Sequence, residues 1–138
     1  MKTITLYHVE HIVFSLAKEH FSFSEPIPDY TTRFPHILES CLSTPFQTFG
    51  GKDLYSTFLS KSSIMFYLMI KNHPFQNGNK RIAMTTLFVF LIMNNKWIKV
   101  DPDSLYQFTI WIAASDPKVK DATVQAINQF ISSWIVDA

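Results

Sequence analysis

Ten consecutive residues, Asn72-His73-Pro74-Phe75-Gln76-Asn77-Gly78-Asn79-Lys80-Arg81, hold the densest chemistry in the chain. His73 brings the side-chain type best suited to accept a proton near neutral pH. Gly78 permits a tight turn and lets backbone N–H groups approach a ligand closely. Lys80 and Arg81 place two cations where the next helix is predicted to begin, at about Asn79. Cations there oppose the positive end of that helix's own dipole, a local conflict of the kind found at functional sites. A glycine, the free N–H donors of a helix start and two cations together make an anion site of phosphate size. A loop histidine alone is more often structural or merely exposed. Beside an anion cradle the balance reverses, because phosphoryl transfer needs little beyond positioning, charge neutralisation and a base for the attacking hydroxyl.

The elements that must position this loop can be read from hydrophobic periodicity. Pro74 disfavours helical backbone at His73, so the preceding helix should stop there. That helix is predicted over Asp53–Asn72 and the following one over Asn79–Asn94, the second apolar round most of its circumference from Ile82 to Met93. Phe75 is expected to point inward as the anchor of the loop between them. Leu6, Val9, Val13, Leu16 and Ala17 make the stripe of a first helix with Thr5 as its N-cap. A Pro-rich stretch, Glu25 to Pro28, and a short helix near Phe34–Cys41 follow. Asp101-Pro102 and Asp116-Pro117 each pair an N-cap acceptor with proline at the first helical position. Val119, Ala122, Ala126, Ile127, Phe130, Ile131 and Trp134 form the predicted core stripe of the last helix. Thr44–Lys52 alternates weakly and ends in Gly50-Gly51-Lys52, which lacks the spacing of a phosphate-binding P-loop and reads as the turn of a short hairpin. The predicted class is all-α, a bundle of about six helices with a short β-hairpin.

Composition fits one domain over residues 1–138, with 47% hydrophobic and 17% charged residues and no repeat or linker. A net charge of +1 gives no global argument for a nucleic-acid partner. Residues 61–100 are nevertheless locally cationic, with Lys61, Lys71, Lys80, Arg81, Lys96 and Lys99 and no acidic side chain. Such a window is usually a solvated face; here it brackets the loop and supports a local anion site. Cys41 is the single cysteine and cannot form an internal disulfide. The most apolar stretch, Ile82 to Met93, contains Thr85 and Thr86 and is 12 residues long against the roughly 20 that span a bilayer. With no secretory signal in view, a cytoplasmic location is expected. His8 and His11 stand at i, i+3 without an evident third ligand, so they read as surface features.

His73-Pro-Phe-Gln-Asn-Gly-Asn-Lys-Arg81, followed by Ile82-Ala83, resembles the signature of the Fic/Doc family, His-x-Phe-x-acidic-x-Asn-Gly/Lys-Arg. Lys80 stands where AMP-transferring members carry a second glycine, which resembles the death-on-curing (Doc) branch, the toxin half of a toxin–antitoxin pair. The resemblance implies the Fic fold, ATP and Mg²⁺ as cofactors, and His73 as the general base on a target hydroxyl. It implies that Gly78, Asn79 and Arg81 hold phosphates and that Lys80 fills part of the anion hole. The product would be a phosphorylated Ser or Thr on a protein such as elongation factor Tu, and a Phd-like antitoxin would be the inhibitory partner. Phe46, Gln47, Thr48, Phe49 and Gly50 would form the flap that aligns the target by strand addition. Transfer of AMP, or a binding module with weakened chemistry, are the alternatives. The signature's acidic, metal-binding position is Asn77 here, an oxygen ligand without charge. Any protein carboxylate near that metal must therefore come from outside residues 61–100. Ser15 to Glu19 resembles the core of the family's inhibitory Ser/Thr-x-x-x-Glu helix, but His20 follows in place of Gly or Asn, and coincidence is the better reading.

Overall fold

The computed structural model of the chain describes residues 1–20 and 25–138. Helix α1 (Leu6–His8) passes through a π-helical turn (Val9–Val13) into α2 (Phe14–Glu19). After a 3-10 turn (Tyr30–Thr32) come α3 (Pro35–Ser43), α4 (Phe58–Lys71), α5 (Asn79–Met93), α6 (Pro102–Ala114) and α7 (Lys120–Trp134). With the first three segments counted as one, the described residues form six helices, one short hairpin and one further antiparallel strand pair, an all-α architecture. None of these helices is long and apolar enough to cross a membrane.

α4 is the axis. Thr57 caps it, its hydroxyl accepting from Ser60 N–H at 2.9 Å, and every residue from Lys61 to Ile70 is buried. A helix surrounded on all sides must satisfy its own polar groups, and this one does so through back-bonding. Ser62 and Ser63 donate to the carbonyls of Phe58 and Leu59 at 2.9 and 2.8 Å. α5 repeats the device, Thr85 and Thr86 donating to Arg81 and Ile82 at 2.8 and 2.7 Å. α4 packs against α5 and α7, with α3 and α6 alongside, and Phe66, Phe75, Phe90 and Leu38 are among the largest fully buried side chains. Lys71 ties α4 to the end of α6 by donating to the carbonyls of Ala113 and Ser115 at 3.1 and 2.5 Å, where a cation complements the helix dipole.

Three elements depart from the sequence reading. The helix expected from Asp53 begins at Phe58, because Asp53 is paired with Thr48 in a hairpin and Thr57 takes the cap. That hairpin, β1 (Thr48–Phe49) with β2 (Lys52–Asp53), turns at Gly50 and Gly51, whose φ of +58° and +79° suit a type I′ turn. The last helix keeps the middle of its expected stripe, with Ile127 and Ile131 buried and Ala126 and Phe130 half-buried, but not the ends. Pro117 opens a 3-10 turn (Pro117–Val119), the α-helix starts at Lys120, and Thr123, Ile127 and Ile131 become the buried stripe. Val119, Ala122 and Trp134 are exposed instead. A second antiparallel pair, β3 (Lys96–Ile98) with β4 (Ile135–Asp137), was not expected; strands of three residues carry no periodicity to read.

Candidate functional site

The loop between α4 and α5 is built from the inside outward. α4 ends at Lys71, and Asn72 caps it. His73 then turns the chain through φ +49°, the left-handed region that a residue with a side chain enters at a cost. Phe75 is fully buried, its ring 5.1 Å from that of Phe14 and 6.5 Å from that of Tyr30. Asn79, also buried, staples the loop to this anchor: its Oδ1 accepts from Phe75 N–H at 3.0 Å and its Nδ2 donates to Phe75 O at 2.9 Å. The same Nδ2 lies 3.5 Å from His73 Nδ1, so one amide fixes both the loop and the exposed imidazole. The side chain of Asn79 therefore faces inward.

Gly78 caps α5 at φ +72°. A Cβ there would also meet Pro26 O at 2.8 Å and Ile27 Cδ1 at 3.2 Å, so glycine is required by conformation and by space. Over this turn lies Glu25. Its Oε2 accepts from Gly78 N–H at 3.3 Å and its Oε1 from Lys80 Nζ at 3.1 Å. The helix start and the lysine thus converge on an anion, which in this state is the chain's own carboxylate. This carboxylate also relieves the conflict of a cation at the start of α5. An external anion reaches Gly78 N–H and Lys80 only by displacing it.

Arg81 sits deeper. Its guanidinium donates to Glu25 O at 2.6 Å, Ala17 O at 2.5 Å and His20 O at 3.2 Å. These bonds clamp the end of α2 and the backbone of Glu25 against α5. Buried Arg81 Nε has no acceptor among the described residues. Asn77 turns its Oδ1 to Gly78 N–H at 2.9 Å. The structure therefore gathers Gly78, Lys80 and Asn77 round one point, sets His73 beside it through Asn79, and gives Arg81 to the backbone.

The hairpin is the second part. Thr48, Phe49, Lys52 and Asp53 are all exposed, with Phe49 at 80%, and two strands of two residues have no stability of their own. Lys61, buried on α4, secures the base of the hairpin by donating to Asp53 Oδ2 at 3.1 Å and to Tyr55 O. Its ammonium lies 5.8 Å from the centre of the Phe46 ring. Thr44–Phe46 form a 3-10 turn, and Gln47 receives a backbone bond from Leu54 N–H at 3.0 Å, so the expected flap residues lie together.

A third feature is apolar. A cavity of about 750 Å³ opens between the first helix and α5, lined by Ile12, Leu16, Phe88, Ile92 and Trp97 among others. His20 and Thr85 also line it, so it begins one helical turn beyond Arg81.

The remaining candidates fall away from these features. His8 serves the cap of α1, its Nδ1 accepting from Thr5 N–H at 2.9 Å, and no cluster of three or more His, Cys, Asp or Glu suits a metal among the described residues. Glu19 is exposed and 4.0 Å from His20, away from the cradle. Burial pushes the Cys41 thiol up to about 12, which leaves it unreactive at neutral pH. Sequence reasoning missed Glu25 and Lys61. Glu25 lies 53 residues from Gly78 with no local pattern to mark it, and only the lack of acid in residues 61–100 hinted that a distant carboxylate was needed. In the sequence Lys61 is one cation of a charged window; in the structure it is a buried strut.

No curated protein and no solved structure matches the chain. The sequence model of the Fic/DOC family matches residues 3–91, from the first helix through the loop and most of α5. This match takes in the hairpin, the His73–Arg81 loop and the helices that hold them, and the chain belongs to the Fic/DOC family.

Proposed function

We propose that the chain is a Doc-like toxin that transfers the γ-phosphate of ATP to a Ser or Thr hydroxyl of a target protein of the translation-factor type, such as elongation factor Tu. The observation that carries this reading is the carboxylate held between Gly78 N–H and Lys80: the loop is arranged to bind an anion. Phosphate oxygens would take the places of the two Glu25 oxygens. His73, exposed and oriented by Asn79, would accept the proton of the target hydroxyl. The bond formed joins that hydroxyl oxygen to the γ-phosphorus, the bond broken joins the γ-phosphorus to the β–γ bridging oxygen, and ADP leaves.

Mg²⁺ fits as cofactor because it takes oxygen ligands and keeps water and phosphate in its shell; Asn77 Oδ1 is the oxygen the loop offers it. When bound it would neutralise charge on the phosphates. The exposed hairpin from Phe46 to Gly50 would lay the target's backbone alongside by strand addition. The apolar cavity that begins beside Arg81 would receive an amphipathic segment of a Phd-like antitoxin.

Intact-mass measurement of purified elongation factor Tu, incubated with the protein, ATP and Mg²⁺, tests the reaction. A gain of one phosphoryl group supports it, a gain of AMP replaces it with nucleotidyl transfer, and no change on any translation factor leaves a binding module.

A further inference from the structure

Glu25 raises a problem that the nucleotide reading alone does not answer. Its carboxylate occupies the donors that phosphates need, and its backbone is tied beside them. Arg81 holds its backbone carbonyl at 2.6 Å, and the same guanidinium is fixed to Ala17 and His20. Incoming phosphates would therefore meet a tethered carboxylate at close range, and two anions side by side in a partly enclosed site repel strongly. A divalent cation between them removes the conflict. An oxygen ligand for that ion is already in place: Asn77 Oδ1 and Glu25 Oε2 lie within 2.9 and 3.3 Å of one atom, Gly78 N. The two side chains thus converge, one neutral and one charged, at the position where the loop itself supplies no carboxylate.

We infer that Glu25 is the missing acidic metal ligand of this site: as nucleotide phosphates take Gly78 N–H and Lys80, its carboxylate moves to share the divalent ion with Asn77. The inference rests on the nucleotide reading above and adds a residue from outside the loop to its machinery. Two protein oxygens suffice, because Mg²⁺ bound with a nucleotide keeps phosphate and water as its other ligands. Glu25 then has two successive partners. Without ligand it satisfies the cradle; with ligand it holds the ion that lets carboxylate and phosphate coexist.

The test measures metal binding directly. Mn²⁺ affinity is read by electron paramagnetic resonance, with and without a non-hydrolysable ATP analogue, for the wild type, Glu25→Gln, and Glu25→Gln combined with Asn77→Asp. Gln keeps the shape and the backbone carbonyl that Arg81 holds. The expected result is that Glu25→Gln binds the analogue more tightly than wild type in the absence of metal, yet its analogue complex loses about tenfold or more in Mn²⁺ affinity. Asn77→Asp on that background should recover most of the loss by returning a charge to the loop. If Glu25→Gln leaves the Mn²⁺ affinity of the complex within about twofold of wild type, Glu25 is only an anion that gives way, and the inference is overturned while the nucleotide reading stands. If the wild type binds no analogue at all, both fall.

Discussion

The His73–Arg81 loop and the Thr48–Asp53 hairpin face opposite demands, and their construction differs accordingly. Every turn of the loop is determined more than once: Phe75 is buried, Asn79 bonds both polar groups of the Phe75 backbone, and Gly78 is packed against Pro26. The hairpin buries nothing along its strands and is held at its base by the Lys61 ammonium and the Leu54–Gln47 backbone bond. A site for a small anion of constant shape benefits from donors fixed in advance. A surface for a protein backbone benefits from an edge that adjusts to its partner. On the proposed function, the contrast gives rigidity to the side that would hold the nucleotide and compliance to the side that would meet the target.

The largest effect should come from the loop's imidazole. His73→Ala is expected to lower transfer by about 10²–10⁴-fold, the usual share of a general base, with unchanged thermal stability. His73→Gly separates chemistry from strain. It loses the same activity, but its Tm holds or rises, because glycine removes a left-handed cost of about 1–2 kcal/mol against the roughly 0.5–1 kcal/mol its flexibility loses. A Tm drop in both variants, with activity retained, would make His73 structural.

Gly78→Ala should break the loop where it is most constrained. Thermal denaturation should show a loss of at least about 1–2 kcal/mol, since the added Cβ also meets Pro26 O at 2.8 Å. An unchanged Tm would mean that the loop is far more pliable than its packing implies.

Lys61→Met should act on the other region alone. Loss of a charged hydrogen bond of about 1.5 kcal/mol would raise KM for the protein target roughly tenfold, leave nucleotide affinity unchanged, and speed amide exchange in residues 47–55. The return of wild-type KM in Lys61→Arg would show that the cation is what matters. Cys41 then reports how far the loosening spreads. With its thiol raised to about 12 by burial, it should resist alkylation at pH 8 in both the wild type and Lys61→Met. Labelling of the variant would show that the hairpin and the core open together.

These contrasts bear on what a reader of the sequence could see. The loop was legible because its signals are local: a proline sets the stop of α4, a buried phenylalanine anchors, a glycine turns, and α5 starts at Asn79 as its spacing predicts. The central helices were legible because Ile64 to Ile70 in α4 and Leu87 to Met93 in α5 are uninterrupted apolar runs. What stayed hidden depends on distance along the chain. Glu25 reaches Gly78 across 53 residues, and β3 pairs with β4 across about forty. The ends of the last helix's stripe are hidden for a different reason. A 3-10 turn holds fewer residues per turn than an α-helix, so Val119 falls out of phase with the buried Ile127 and Ile131.

The account depends above all on the loop being a phosphate site, and the amide resonance of Gly78 reports on it most directly. In a titration of the ¹⁵N-labelled protein with ATP and Mg²⁺, the largest shifts should fall on Gly78, Asn79 and Lys80, with Glu25 moving at the same ligand concentrations as its carboxylate leaves the cradle. Saturating ATP that leaves these four amides unmoved, or that shifts only residues lining the apolar cavity such as Phe88 and Ile92, would contradict it.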